Sequence, residues 1–260
     1  MIGLFKQKPW FEDFSDQSIA FPRRTHDDDP ADSYSLVITY DRRAADRASA
    51  RGLSKIVVVT VGFPLAETGE DRMPKGDVVM ALRSSLDQNF AAVCEKAKVK
   101  ANLLATQTGG GVRHYFLLLD SVGRLDPLIR EMPLPAGLEL DVWERGDLPA
   151  LISWLSPDQL EEWASRDGQV RSAFAGRGDD GKAPRDTRFF FLGGEQDRLA
   201  EVARQAGFDV LTDDGGTTII RKDMPITVDD IGAENRVFRE WVNDFGVEYD
   251  GWEAELLVKN

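Results

Sequence analysis

The feature that most constrains this chain is the alternation of hydrophobic period between residues 188 and 258. Arg188-Phe189-Phe190-Phe191-Leu192 has strand content. Gln196–Ala206 sets Leu199, Val202, Ala203 and Ala206 on one helical face, and Gly207 stands where a helix-ending glycine belongs. Phe208–Leu211 reads as a strand, Asp213-Asp214-Gly215-Gly216 as a turn and Thr217–Arg221 as the return strand. Thr227 caps a helix from Val228 to about Phe245, with Ile231, Phe238, Trp241, Val242 and Phe245 facing inward. Gly246 ends it, and Val247–Val258 is the last strand. With right-handed crossovers, the order β-α-β-β-α-β folds into a ferredoxin-like sheet.

A helix opens ahead of this block at Ser156-Pro157-Asp158, with Ser at the N-cap and Pro at the first helical position. It runs through Leu160 and Trp163 to about Phe174. Ala175–Pro184 is a Gly/Asp/Pro loop, flexible by composition.

The first half alternates differently. Leu36–Tyr40 and Ile56–Val61 are strands. Asp41–Ala50 fits either a short helix or a solvated strand return. Asp77–Lys98 is a helix whose apolar stripe is Val78, Leu82, Leu86, Phe90 and Val93. Ala101–Thr106 and Val112–Leu119 flank Gly109-Gly110-Gly111 as a hairpin. Val122–Glu131 is a short helix and Leu138–Trp143 a final strand. Residues 1–33 read as an irregular leader that packs Trp10, Phe11 and Phe14 onto the body. The expected fold is α+β, with two α/β sandwich domains at 34–155 and 185–260, joined by a helix and flexible linker over 156–184. The second domain is ferredoxin-like.

Charge and composition narrow the function. The chain carries 45 acidic against 32 basic residues, a net of −13. Residues 156–260 hold 23 acidic and 13 basic residues, so −10 of that surplus lies in the second half. Such a chain does not clamp nucleic acid by bulk electrostatics, and it suits a partner protein with a basic surface. One Cys excludes an internal disulfide framework and a Cys-built zinc site, and two His leave little for a metal centre. No metal or cofactor is implied. Cys94 falls inside the helical stripe and reads as a small buried hydrophobe. The N-terminus has no signal-peptide pattern, and no stretch approaches the ~18 apolar residues of a membrane span, so a cytoplasmic protein is expected.

Phe245-Gly246-Val247-Glu248-Tyr249-Asp250-Gly251-Trp252-Glu253 resembles the C-terminal signature of the bacterial regulator of ribonuclease E activity B family. The β-α-β-β-α-β order and Ala206-Gly207-Phe208-Asp209-Val210 agree with it, over about residues 185–258. The resemblance implies a small acidic domain that binds and inhibits a ribonuclease without chemistry of its own. Residues 30–157 are similar to the family called domain of unknown function 695. The carrying segments are Tyr34–Tyr40, Ile56–Gly62, Asp77–Lys98, Thr108-Gly109-Gly110-Gly111-Val112-Arg113 and Trp154-Leu155-Ser156-Pro157. That likeness implies no activity.

Candidate site residues follow. Tyr249 and Trp252, three apart on a strand, would point to opposite faces. One reading gives an exposed aromatic beside Asp250 for partner docking; the other gives an aromatic in the core and a bulge at Gly251. Asp229, Asp230 and Glu234, with Glu195, Asp197 and Glu201, lie in or near first helical turns. They serve either dipole complementarity or an acidic docking face. Arg113 and His114 could line a shallow pocket. His26-Asp27-Asp28-Asp29 has consecutive acids without a following Gly and reads as a solvated turn rather than a metal loop. Asp213-Asp214-Gly215-Gly216 reads likewise as a β-turn. Gln107-Thr108-Gly109-Gly110-Gly111 lacks the Lys and helix of a phosphate loop.

The expectation is a non-enzymatic regulatory protein that docks through an acidic surface on a basic protein, such as an RNA-processing ribonuclease. A small-molecule sensor using paired ferredoxin-like sheets in a homodimer is the alternative. A hydrolase centred on His114 is the weaker one.

Overall fold

In the computed structural model, the chain divides into two compact units, Met1–Ser156 and Pro157–Asn260. The structure describes residues 11–24, 35–69, 72–122, 125–132, 139–212 and 216–257.

The first unit runs β1 (Phe11–Glu12), β2 (Ser18–Arg24), β3 (Ser35–Asp41), α1 (Ala44–Ala50), β4 (Lys55–Gly62), α2 (Gly76–Ala97), β5 (Ala101–Gly109), β6 (Val112–Leu119), α3 (Leu125–Arg130), β7 (Glu139–Arg145) and α4 (Leu148–Leu155). Its strands form one sheet in the order β2-β3-β5-β6-β4-β7, each neighbour antiparallel. β1 joins the start of β5 in parallel. The period of two divides the strands between two cores. Val57, Val59, Tyr115 and Leu117 pack on Leu82, Leu86 and Phe90 of α2 and on Leu125 and Ile129 of α3. Ile38, Tyr40, Val58, Phe116 and Leu118 pack on Ala44 and Ala48 of α1 and on Leu151 and Leu155 of α4.

The structure corrects or completes the sequence reading at three places. The leader is not irregular throughout: Phe11–Glu12 and Ser18–Arg24 are strands. β2 pairs with β3 along its length, with Phe21 opposite Ile38 and Ile19 opposite Tyr40. Pro22 is tolerated because β2 is an edge strand. Phe11 stacks on Phe90 at 5.8 Å between centroids, while Trp10 and His26–Asp29 lie outside the described residues. Asp41 fixes this segment. Its carboxylate accepts hydrogen bonds from Ser15 N (2.8 Å), Ser15 Oγ (2.7 Å), Arg43 N (2.9 Å) and Arg47 Nη2 (2.5 Å). Burial pushes the Asp41 pKa up, but these donors outweigh it and hold it below the usual carboxylate value. Residues 44–50 are helical, because Ala44 and Ala48 bury one face at i and i+4. α4 was not expected. Its eight residues are too short to display a helical period, but Asp147 caps it by accepting from Ala150 N at 3.0 Å.

The second unit runs α5 (Gln159–Ala175), β8 (Arg185–Leu192), α6 (Gln196–Gln205), β9 (Asp209–Thr212), β10 (Thr217–Met224), α7 (Val228–Phe245) and β11 (Glu248–Ala254). Its sheet has the order β11-β8-β10-β9, antiparallel throughout, which is the ferredoxin-like arrangement expected from the sequence. Phe189 and Phe191 face Leu199 and Ala203 of α6 and Ile231, Phe238 and Trp241 of α7. The turn expected at Asp213–Gly216 has residues 213–215 outside the described residues.

α5 belongs to this core rather than to a linker. Trp163 is buried in it and meets Tyr249 edge-on at 4.7 Å. Its N-cap is Asp158, not Ser156. Asp158 Oδ1 accepts from Glu161 N at 2.8 Å and Glu161 Oε2 accepts from Asp158 N at 2.9 Å, a complete capping box. Ser156 instead closes α4, its hydroxyl donating to Ile152 O at 2.8 Å. Nor does the loop after α5 behave as its composition suggests. Asp179 and Arg185 are both buried. Asp179 accepts from Arg185 Nη1 (2.5 Å) and Nη2 (3.0 Å), Gly181 N (2.9 Å) and Leu257 N (2.8 Å). Ile226 N closes on Gly181 O at 2.9 Å. The loop is clamped to the end of the sheet at both sides.

Gly194 has a positive φ of 63°, and a Cβ there would lie 2.5 Å from Phe245 O and 2.6 Å from the Gly246 carbonyl carbon. The β8–α6 turn can therefore close against the end of α7, where Glu195 N donates to Phe245 O at 2.9 Å.

Candidate interaction surface

The signature around Tyr249 folds inward. β11 carries a bulge: Tyr249 pairs with Phe191, the next ladder pair is Gly251 with Phe190, and Trp252 pairs with Phe189. Asp250 is the extra residue, so Tyr249 and Trp252 face the same side of the sheet instead of opposite sides. Both are core residues, 3% and 9% exposed. Neither ring stands exposed as a docking aromatic would, and Asp250 alone of the three is exposed.

Trp252 is held by a buried acid. Its Nε1 donates to Asp167 Oδ1 at 2.7 Å, and Asn235 Nδ2 donates to Asp167 Oδ2 at 2.7 Å. The network joins α5, α7 and β11. Burial raises the Asp167 pKa, against the two hydrogen bonds and the charges of Arg171 and Arg166. Burial likewise keeps the Tyr249 hydroxyl protonated, its pKa raised well above the ordinary value. α5 gives a sequence signal for the buried acid: Leu160, Trp163, Val170 and Phe174 form an apolar stripe, and Asp167 interrupts it.

The acids on α7 separate by role. Thr227 Oγ1 donates to the Asp230 carboxylate and accepts from Asp230 N at 3.3 Å, so Asp230 completes the helix start. Glu234 accepts from Lys222 Nζ at 2.7 Å and is partly buried. Asp229 is exposed in the first turn. On α6, Glu195 pairs with Arg198 at 2.6 Å, and Asp197 lies in the first turn. A groove of about 630 Å³ opens beside them, lined by Gly193, Gly194 and Gln196 as well as these residues.

Arg113 and His114 do not share a pocket. Successive strand residues leave opposite faces. Arg113 lies on the α2 side of the sheet, donating to Thr108 Oγ1 (2.5 Å) and Thr106 Oγ1 (3.3 Å) and stacking 5.1 Å over Tyr115. His114 lies on the other side, with Nδ1 2.8 Å from Thr60 Oγ1 and its ring against Phe116. Among the described residues, no group of three or more His, Cys, Asp or Glu side chains is placed to hold a metal ion.

What the expected residues leave out is the outer face of the second sheet, opposite its helices. Ladder register sets Gly251, Phe190, Ile219 and Leu211 side by side across β11, β8, β10 and β9. Leu192 and Leu211 are 36% and 39% exposed. Below them runs a charged row, Glu253, Arg188, Arg221 and Asp209. Arg188 pairs with Glu253 and Asp186 at 3.3 Å each, and Arg221 with Asp209 at 2.7 Å. A signal for this face stands in the sequence. In three consecutive phenylalanines on a strand covered by helices on one side, the middle one must face away.

Residues 164–254 match the family model described as regulator of ribonuclease activity B. The match begins inside α5 and ends with β11, so it lies wholly within the second unit. It covers the helix with the buried Asp167 as well as the ferredoxin-like strands. No curated protein matches the chain. Among solved structures it is similar to the crystal structure of an unknown protein from Galdieria sulphuraria, at 11% identity. That likeness covers 78% of this chain and 98% of the other with a TM-score of 0.21, and carries no argument. No described helix is long and apolar enough to cross a membrane.

Proposed function

We propose that this chain is a non-enzymatic regulator that binds a ribonuclease through its second unit. The observation that carries the reading is the match of residues 164–254 to the regulator of ribonuclease activity B family, over a unit that folds around its own core. The charge supports it. Residues 156–260 carry a net −10, which favours a partner with a basic surface and steers its approach. The first unit is assigned no activity in this proposal.

The test is binding of the full chain to purified ribonucleases of the source cell, with cleavage of a labelled RNA as a second readout. The expected result is a stable complex, slower cleavage, and an affinity that falls between low and about 0.3 M salt as screening shortens the reach of the field. Absence of binding to any of them, or cleavage of the RNA by this chain alone, overturns the proposal.

A further inference from the structure

We infer that the outer face of the second unit's sheet is the docking site, and that its occupant is a partner segment in which basic residues are interspersed with apolar ones. The inference rests on the proposed reading that the partner is a protein.

An antiparallel sheet covered by helices on one side ordinarily presents polar residues to water on the other. Here the middle of the outer face is apolar: Phe190 and Ile219 are half-buried side by side, with Leu192 and Leu211 more exposed around them. A contiguous apolar row with a charged margin is the pattern of a binding surface.

The charge of the margin selects the occupant. Among the described residues, this face carries the carboxylates of Asp186, Asp209, Asp223, Glu248 and Glu253, and Asp250 is exposed at the bulge beside it. Two guanidiniums, Arg188 and Arg221, oppose them, and both are engaged in ion pairs within the face. The surplus is negative. A second copy of this chain would set the same surplus against itself, like charge against like. Nucleic acid would meet the same repulsion. A segment alternating Lys or Arg with aliphatic residues satisfies both features: its apolar side chains cover the Phe190–Ile219–Leu211 row and its cations meet Glu248, Asp250 and Glu253.

The test uses the full chain and, as probe, a short labelled synthetic peptide alternating Lys with Val, with a Glu–Val peptide as control. The Lys–Val peptide is expected to bind, the Glu–Val peptide not. Leu192→Lys and Leu211→Lys should each weaken binding by about tenfold. Glu248→Gln with Asp250→Asn should weaken it and reduce its salt dependence. Should Leu192→Lys fail to fold by circular dichroism, Leu211→Lys and the charge-neutral pair carry the test. Equal binding by wild type and face variants overturns the inference. So does self-association that Leu211→Lys abolishes, or binding of an RNA oligonucleotide in place of the peptide. The same variants in the ribonuclease assay separate the two ideas. A ribonuclease bound equally well by Leu211→Lys leaves the proposed function standing and removes the docking face. Face-dependent peptide binding without any ribonuclease binding does the reverse.

Discussion

Trp252 Nε1 donates to Asp167 Oδ1 at 2.7 Å, so a strand indole is fixed by a carboxylate 85 residues earlier in the chain, on α5. Asn235 Nδ2 occupies the other carboxylate oxygen at 2.7 Å, and the Asn235 Oδ1 atom is buried without a hydrogen-bond partner. Asp167→Ala should therefore leave two buried donors unmade, costing about 1–3 kcal/mol for each. Asp167→Asn should retain most of the stability, because rotation of the Asn235 amide lets its oxygen accept from the new amide. The pH dependence has a definite sign. The folded pKa of Asp167 is raised by burial, so the folded state holds this proton more tightly than the unfolded chain. Its favourable contribution is complete below the unfolded value near 3.9 and is lost as pH rises through the folded value. Urea denaturation of wild type and Asp167→Asn across that range should find the variant gaining on wild type as pH rises.

Asp179 has the opposite sign. The Arg185 guanidinium, with Gly181 N and Leu257 N, holds its carboxyl well below the usual carboxylate range despite burial. The stabilisation is present above about pH 4 and is lost as pH falls toward the depressed value. Asp179→Ala leaves Arg185 buried without its counter-charge and should cost about 3–5 kcal/mol at neutral pH. The difference from wild type should shrink under acid, measured by denaturant midpoints at successive pH values.

Gly194 and Gly193 form a matched comparison. Both have positive φ, 63° and 65°, but only Gly194 closes on neighbouring backbone; a Cβ on Gly193 meets nothing within 4 Å. Gly193→Ala should carry the left-handed backbone cost alone, about 1–2 kcal/mol. Gly194→Ala adds a collision with Phe245 O and Gly246, so its thermal midpoint should fall further. Equal midpoints would remove the close approach as an explanation.

Cys94 should be inert in the folded protein. Burial pushes its thiol up to about 12, with the positive charge of Arg51 opposing. A chromogenic disulfide reagent at mildly alkaline pH should report one thiol only after denaturant is added, and the reaction rate should follow unfolding.

The topology of the second unit is legible in the sequence because each element is short, separately punctuated and strongly periodic. The facing of Tyr249 and Trp252 is not, since the period of two assumes an unbroken pleat and the Asp250–Gly251 bulge adds one residue. α5 reads as a helix from its cap and stripe, but its place in the core depends on Trp163 and Asp167 meeting β11. The opposite exits of Arg113 and His114 do follow from strand geometry alone, and the expectation of a shared pocket conflicts with it. The Lys222–Glu234 pair joins a strand to a helix, and no local pattern marks it. Strand character in residues 18–24 is obscured by Pro22 and by two consecutive arginines.

The bulge in β11 makes the last strand one residue longer than its core requires. Removing Asp250 would join Tyr249 directly to Gly251, restore an unbroken ladder to β8, and leave both aromatic rings on the helix side where they already stand. To the interior, such a deletion is silent. What the extra residue adds is a carboxylate at the rim of the sheet, exposed at the bulge.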